Sequence, residues 1–264
     1  MKKVQVTNSI IDLFAYTPTQ YMVKAMMAGT APYECFTDDE QTPALCLILE
    51  GHSLFVAGDP SHPFADEAMD FLSRDLLCTQ KQRELEVIKI IFPNDTWKQK
   101  ITKALDGIQI NEYQRSILLC PVAVGKEGSS LPHIQTITPA MKNFENFSMI
   151  QEEVESTLGS VEQFLSEGFG TALVLNNRVC GFCTAEYISP GICAIGIAVE
   201  EEYRQRGFAS QMADAFAKES AARGLMTYWD CWKNNVPSYK TAVQAGFTLV
   251  SDYPVLFVHF LQGH

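Results

Sequence analysis

Positive charge is scarce in this chain: 20 lysines and arginines stand against 31 aspartates and glutamates, a formal net charge of -11 at pH 7. A nucleic-acid binder needs a basic stripe to displace the counterions around phosphate, and none is present, so no nucleic-acid partner is expected. No apolar run reaches the length of a membrane span, and the opening Met1-Lys2-Lys3-Val4-Gln5-Val6-Thr7-Asn8 lacks the apolar core of a signal peptide. The expectation is a cytoplasmic protein with no membrane partner. Internal repeats and low-complexity tracts are also missing at the level of sequence. Cysteine numbers 8, but Cys180 and Cys183 make a single CxxC with no matching second pair. They lie in an expected strand, where residues three apart point to opposite faces. No metal is therefore expected, and the thiols read as buried and free.

What is present is core material. Hydrophobic residues make up 47% and charged residues 19% of 264, enough for one large domain or two small ones. The acidic balance suits cationic acceptors such as amines, polyamines or aminoglycoside-like compounds, although solubility alone would also account for it. The clearest break in pattern runs from Pro121 to Pro132 and is rich in Gly, Ser and Pro. It divides the chain into an N-terminal α/β domain, 1–125, and a second domain, 126–264.

In the first domain the pattern predicts a helix over 19–28, strands over 33–36, 45–50 and 54–57, and an amphipathic helix over 64–77. A strand at 87–92, a helix at 95–105 and two closing strands are expected to follow. Its chemistry is not legible and its role is open, substrate binding being one candidate. In the second domain a strand over 134–137 precedes a mainly helical stretch, 139–165, broken near Gly159. Strands 171–175 and 179–185 are expected to join through Asn176-Asn177, residues that tolerate the positive φ of a tight hairpin. Strand 195–199, helix 210–223 and strand 226–230 form an expected parallel crossover. A short helix, 236–245, and strands 247–250 and 255–260 close the sheet.

The informative stretch is Ile195-Gly-Ile197-Ala198-Val199-Glu-Glu-Glu-Tyr-Arg204-Gln205-Arg206-Gly207-Phe208-Ala209-Ser210. An apolar strand runs into a charged loop, and small residues open a helix. A helix N-terminus carries unpaired N–H groups and partial positive charge, which suits phosphate. Gly207 lets the backbone approach a diphosphate closely, and Ala209 is nearly as slim.

These residues resemble the pyrophosphate loop of the GCN5-related N-acetyltransferase (GNAT) superfamily, Gln/Arg-x-x-Gly-x-Gly/Ala. Asn235, a short helix and Gly246-Phe247 resemble its second element. Trp229-Asp230-Cys231 and Gly168-Phe169-Gly170, with Asp38-Asp39 and Pro43-Ala44, resemble more narrowly the branch of zwittermicin-type antibiotic self-resistance acetyltransferases. The superfamily resemblance covers roughly residues 131–264. It implies an α/β (α+β) fold: a GNAT-like mixed, mostly antiparallel sheet with helices on both faces, preceded by the smaller N-terminal domain. It also implies acetyl-CoA as cosubstrate, the pantetheine arm pairing with the main chain of Ile197, Ala198 and Val199, and the diphosphate held by Arg204 through Ser210. Asn235 would cap its helix or touch the CoA arm.

The implied activity is transfer of an acetyl or short acyl group to a small-molecule amine, an antibiotic being one such acceptor, in a chain that leaves a homodimer open. Departures from the pattern matter. The frequent general-acid Tyr falls on Ala242, so Ser238, ahead of Tyr239, is the expected proton donor. The strand that often bears a Glu base offers Ala194, Gly196 and Ala198, which leaves Glu186 on the neighbouring strand. The alternative is a non-catalytic sensor that binds CoA or acyl-CoA.

Overall fold

A computed structural model describes residues 1–15, 19–78, 86–120 and 132–260. The chain forms two compact units, one of Met1–Met27, Pro32–Arg115 and Tyr253–His264, the other of Ala28–Ala31 and Ser116–Asp252. The expected boundary at 125/126 lies outside the described residues.

The first half of the chain runs β1 (Lys2–Val4), α1 (Asn8–Leu13), α2 (Gln20–Met27), β2 (Glu34–Thr37), β3 (Leu45–Glu50) and β4 (Ser53–Gly58). It continues as α3 (Ala65–Phe71, extended by a π-helical turn, Leu72–Leu76), β5 (Val87–Ile91), α4 (Asp95–Ala104) and β6 (Gln109–Cys120). In the first unit β1–β2, β2–β3 and β3–β4 pair antiparallel and β4–β5 parallel. Val255–His259 of the last strand pairs antiparallel with β5. Strands β3 and β4 are buried at nearly every position, which is why they read as unbroken apolar runs rather than alternating ones. Leu47, Leu54, Val56, Ile88 and Ile90 pack with Ala68, Leu72, Trp97 and Ile101. Fully burying a side chain of this size contributes about 1.5–3 kcal/mol.

The second half runs β7 (Ile134–Thr136), a 3₁₀ turn (Pro139–Asn143), α5 (Ser148–Leu158), α6 (Val161–Glu167), β8 (Gly170–Leu175), β9 (Arg178–Ser189) and β10 (Ile192–Val199). A 3₁₀ turn (Glu201–Tyr203), α7 (Phe208–Ala222), β11 (Met226–Trp232), α8 (Val236–Gln244) and β12 (Thr248–His259) complete it. Strands β7–β8, β8–β9 and β9–β10 pair antiparallel, and β10–β11 is the expected parallel pair. Asn176 and Asn177 take φ of 50° and 64° at the hairpin tip, as a two-residue turn of this twist demands. Each face of this sheet has its own core. Leu173, Cys183, Ile195 and Trp229 pack with Met212, Phe216 and Ala242 of α7 and α8. Ala172, Val174 and Phe182 pack with Ile150, Val154 and Phe164 of α5 and α6. The expected mixed, mostly antiparallel sheet with helices on both faces is the fold observed.

Three expectations need correction. The two closing strands of the first domain are one strand, β6, within the described residues, and strands 247–250 and 255–260 are one strand, β12. The turn-like Ser251-Asp252 does not break β12, because β-pairing overrides the local signal of two polar residues. The CxxC residues do not face opposite ways. The pairing steps from Leu173↔Gly181 to Val174↔Val179, so Cys180 is an extra residue in a β-bulge that shifts the alternation. Both thiols consequently join the same core cluster, and burial pushes each above the ordinary thiol range.

Candidate functional site

The parallel pair β10–β11 has three residue pairs, Ile192↔Met226, Cys193↔Thr227 and Ala194↔Tyr228. Beyond Ala194 the register with β9 continues to Val199, while none exists with β11 among the described residues. The two strands therefore splay, and one edge of Ile195–Val199 is without a strand partner. Which groups face that edge follows from two hydrogen bonds. Met226 N–H donates to the Gly191 carbonyl (2.9 Å), and Glu200 N–H donates to the Cys180 carbonyl of β9 (3.0 Å). Main-chain groups alternate along a strand, so those of Ile195, Ile197 and Val199 face the cleft and those of Ala198 face β9. A β-carbon placed on Gly181 of β9 would sit 2.8 Å from the Ala198 carbonyl oxygen, in keeping with that direction. The Val199 carbonyl already accepts from Arg204 Nε (2.9 Å).

At the end of β10 the chain turns through Gln205 (φ 61°) and Gly207 (φ 79°), both left-handed, into α7. No side chain caps this helix, and its first turn carries no carboxylate. The N–H groups of Gln205 through Ser210 find no acceptor among the described residues, the first helical return bond being Gln211 N–H to Gly207 carbonyl (3.2 Å). The end of such a 15-residue helix carries partial positive charge and free donors, which suit an anion. Arg204, Gln205, Arg206 and Gly207 are exposed, and Phe208, Ala209 and Ser210 half-buried. The Arg206 guanidinium lies 5.6 Å from the Tyr203 ring centroid.

The start of this loop is anchored by a cluster that sequence reasoning missed. Glu200 accepts from Arg178 (2.6 Å) and from Asn146 Nδ2 (2.9 Å), and Arg178 also pairs with Glu145. Glu200 first, then Glu145, holds Arg178 firmly protonated by raising its pKa. These residues are far apart in sequence, and only the β8–β9 hairpin and the turn before α5 bring them together.

Asn235 caps α8: its Oδ1 accepts from Ser238 N–H (3.2 Å). Ser238 Oγ accepts from Trp229 Nε1 (3.0 Å). With a lone pair thus occupied, the hydroxyl proton of Ser238 is left to donate elsewhere. Tyr239 is half-buried against the core cluster of α7 and α8. Ala242 is fully buried in that cluster, so position 242 offers no proton donor, while Ser238 and Tyr239 do.

Glu186 lies on β9 opposite Ala194. A β-carbon on Gly196 would fall 1.8 Å from Glu186 Oε1 and 3.0 Å from Thr184 Oγ1. The carboxylate thus occupies the space of the missing Gly196 side chain on β10. Next to it, β9 carries a second bulge. Ile192 pairs with Ser189 and Ala194 with Glu186, so Tyr187 and Ile188 together oppose Cys193. Tyr187 adopts φ 46° there, a conformation that is costly for a bulky residue and typical of a re-aimed strand. Thr30, from the segment Ala28–Ala31 of the same unit, donates to the Ile188 carbonyl (2.5 Å). By strand alternation Glu186 projects from the face of α5 and α6, whereas Ser238 and Tyr239 lie on the face of α7 and α8. The site residues therefore flank the splay from both sides rather than sharing one face.

The narrower signature residues have packing roles. A β-carbon on Gly170 would meet the Cys183 carbonyl at 2.4 Å, Phe169 stacks on Phe216 at 5.1 Å, and Arg223 covers the Phe169 ring at 4.5 Å. Asp38 Oδ1 accepts from the N–H groups of Ala44 and Leu45, and Asp39 Oδ1 from those of Gln41 and Thr42. Among the described residues, no three His, Cys, Asp or Glu side chains are grouped to hold a metal ion, and no helix is long and apolar enough to cross a membrane.

A family model described as GNAT acetyltransferase matches residues 11–256. The match reaches across both halves of the chain, further than the resemblance over 131–264. A Bacillus subtilis (strain 168) protein named Uncharacterized N-acetyltransferase YdfB is 25% identical over 248 residues, covering 92% of this chain and 91% of its own length. The crystal structure of a GCN5-related N-acetyltransferase-like protein from Streptococcus suis 89/1591 aligns with a TM-score of 0.66 and 23% identity, over 95% of this chain and 97% of that one. A tandem GNAT protein from the clavulanic acid biosynthesis pathway aligns with a TM-score of 0.54 and 12% identity, over 97% of each chain.

Proposed function

The chain belongs to the GNAT acetyltransferase family, and we propose that it transfers an acetyl or other short acyl group from acetyl-CoA to the amine of a small molecule. One observation carries the cofactor half of this reading: the run of N–H groups from Gln205 to Ser210, at the head of α7, that have no acceptor among the described residues. The CoA diphosphate supplies the acceptors those groups lack, with Gly207 giving the close approach. The free edge of β10 offers the Ile197 main-chain groups and the Val199 N–H to the pantetheine arm, the Val199 carbonyl being taken by Arg204. A donor N–H in that strand would polarise the thioester carbonyl.

The acceptor half rests on Glu186. The amine must lose a proton to attack, and a carboxylate over Gly196 stands beside the splay to take it. The amine nitrogen forms a bond to the acyl carbon as the carbon–sulfur bond breaks. The thiolate then takes a proton, for which Ser238 is the donor and Tyr239 its neighbour. A sensor would need the phosphate site but not a carboxylate inserted from β9, so the Glu186–Gly196 arrangement favours catalysis over the sensor reading. A panel of amines, polyamines and aminoglycoside-like antibiotics incubated with acetyl-CoA, with free thiol followed, tests it. Amine-dependent thiol release is expected. CoA binding without transfer to any member would favour the sensor.

A further inference from the structure

The two halves of the chain carry the same elements in the same order: strand, two helices, three strands, helix, strand, helix, strand. Their pairing senses also correspond. In each half three antiparallel pairings lead to one parallel pairing, β4–β5 in the first and β10–β11 in the second. Each parallel pairing has three residue pairs and then stops, Ser53↔Lys89, Leu54↔Ile90 and Phe55↔Ile91 matching the three at Ile192–Ala194. The N-terminal half thus repeats the element order and pairing of the fold, with one difference: β5 ends at Ile91, where its pairing with β4 stops, whereas β11 runs past its last pair with β10 to Trp232.

The N-terminal copy is occupied where the other is open. In each, the helix after the second strand of the parallel pair has an Asn cap whose Oδ1 accepts from the third helical residue. Asn94 accepts from Trp97 N–H (3.0 Å), as Asn235 does from Ser238 N–H (3.2 Å). Trp97 therefore stands at the position of Ser238. It is fully buried, and its Nε1 donates to the Gly58 carbonyl (2.8 Å). Counted from the first parallel pair, Gly58 corresponds to Ile197, whose carbonyl faces the cleft in the second half. Asp59 N–H points the other way, to Ala44 of the β3 side (3.2 Å). A buried indole thus stands beside β4 beyond the end of β5 and takes up the carbonyl that corresponds to the one a pantetheine amide would use.

The loop before α3 is equally unsuited to a diphosphate. Pro60 and Pro63 have no N–H. Ser61 N–H donates to Asp59 Oδ1 (2.8 Å), His62 N–H to the Asp59 carbonyl (3.1 Å) and Ala65 N–H to the His62 carbonyl (2.9 Å). Phe64 N–H faces His62 Nδ1 (3.4 Å). Asp66 and Glu67 occupy the first turn of α3, where they repel phosphate, whereas the first turn of α7 is free of carboxylates.

We infer that the N-terminal copy is a cofactor-free duplicate, its corresponding carbonyl taken up by Trp97, and that each chain binds a single CoA, at the α7 site. This rests on the acyl-CoA reading of that site. Native mass spectrometry of the full chain at saturating CoA, with hydrogen exchange followed by mass spectrometry, tests it. One CoA per chain is expected, with new protection over 195–210 and none over 53–66. Two CoA per chain, or protection over 53–66, would overturn the inference while leaving the α7 site intact. No CoA at all would instead overturn the reading on which it rests.

Discussion

Glu186 Oε1 lies 1.8 Å from where a β-carbon of Gly196 would stand, so the carboxylate of one strand fills the side-chain position of the next. An alanine there cannot coexist with the present Glu186 conformation. Gly196→Ala is expected to displace the carboxylate and lower turnover about a hundredfold, the low end of general-base contributions. CoA affinity should stay within about twofold, since both residues lie away from the phosphate loop, a difference small against tenfold per 1.4 kcal/mol. Glu186→Gln should show the same split. Full activity in both variants would remove Glu186 from the mechanism.

Ser238 and Tyr239 are separated by removing one hydroxyl at a time. Ser238→Ala should lower turnover by roughly a hundredfold or more with CoA binding intact, because a general acid acts in the transition state. Tyr239→Phe should have the smaller effect. If the double variant keeps its turnover on an identified amine, the thiolate takes its proton from water and neither residue is the acid.

Asp252 of β12 accepts from Lys233 (2.7 Å) and from Ser116 of β6 (2.6 Å). Lys233 first, then Ser116, holds its carboxyl below the ordinary range. A carboxyl whose pKa is depressed by folding stabilises the native state above its unfolded value, near 3.9, and loses that contribution as pH falls through the folded value. Asp252→Asn is therefore expected to cost about 0.5–1.5 kcal/mol at pH 7. The gap to wild type should close in more acid solution. Urea titrations at several pH values measure this, and a gap that widened with acid would contradict it.

A fragment of residues 126–264 would leave behind Ser116–Cys120, which belong to the second unit and place Leu118 in its core cluster. It would also strip Val255, Leu256 and Val258, all buried, of their β5 partner. Such a fragment is expected to melt at lower temperature than the full chain or to aggregate, through an exposed apolar strand edge. A fragment as thermostable as the whole would show that neither strand segment is needed.

Much of this was legible in the sequence, for identifiable reasons. The β10 loop and its glycine mark the family because the motif has a fixed local spacing, from Arg204 to Ala209. The hairpin at Asn176-Asn177 and the caps at Gly159 and Asn235 are likewise local. What escaped is long-range. The Glu145–Arg178–Glu200 cluster joins residues that only tertiary pairing brings together. The bulges at Cys180 and Tyr187 are one-residue register shifts that leave no mark in an apolar strand. The duplication is carried by the order and pairing of elements, while Trp97 and Ser238, at corresponding positions, share no side-chain chemistry. The first half repeats the order of elements without the loop motif, so sequence alone does not show the repeat.

The central claim is that α7 binds the CoA diphosphate through the amides following Gln205. Calorimetric titration of CoA into wild type and into Gly207→Glu tests it most directly, because the substitution puts a side chain and a negative charge against those amides. Micromolar affinity is expected for wild type, with a loss of at least ~1.4 kcal/mol, about tenfold, in the variant. Equal affinities in the two proteins would contradict the account.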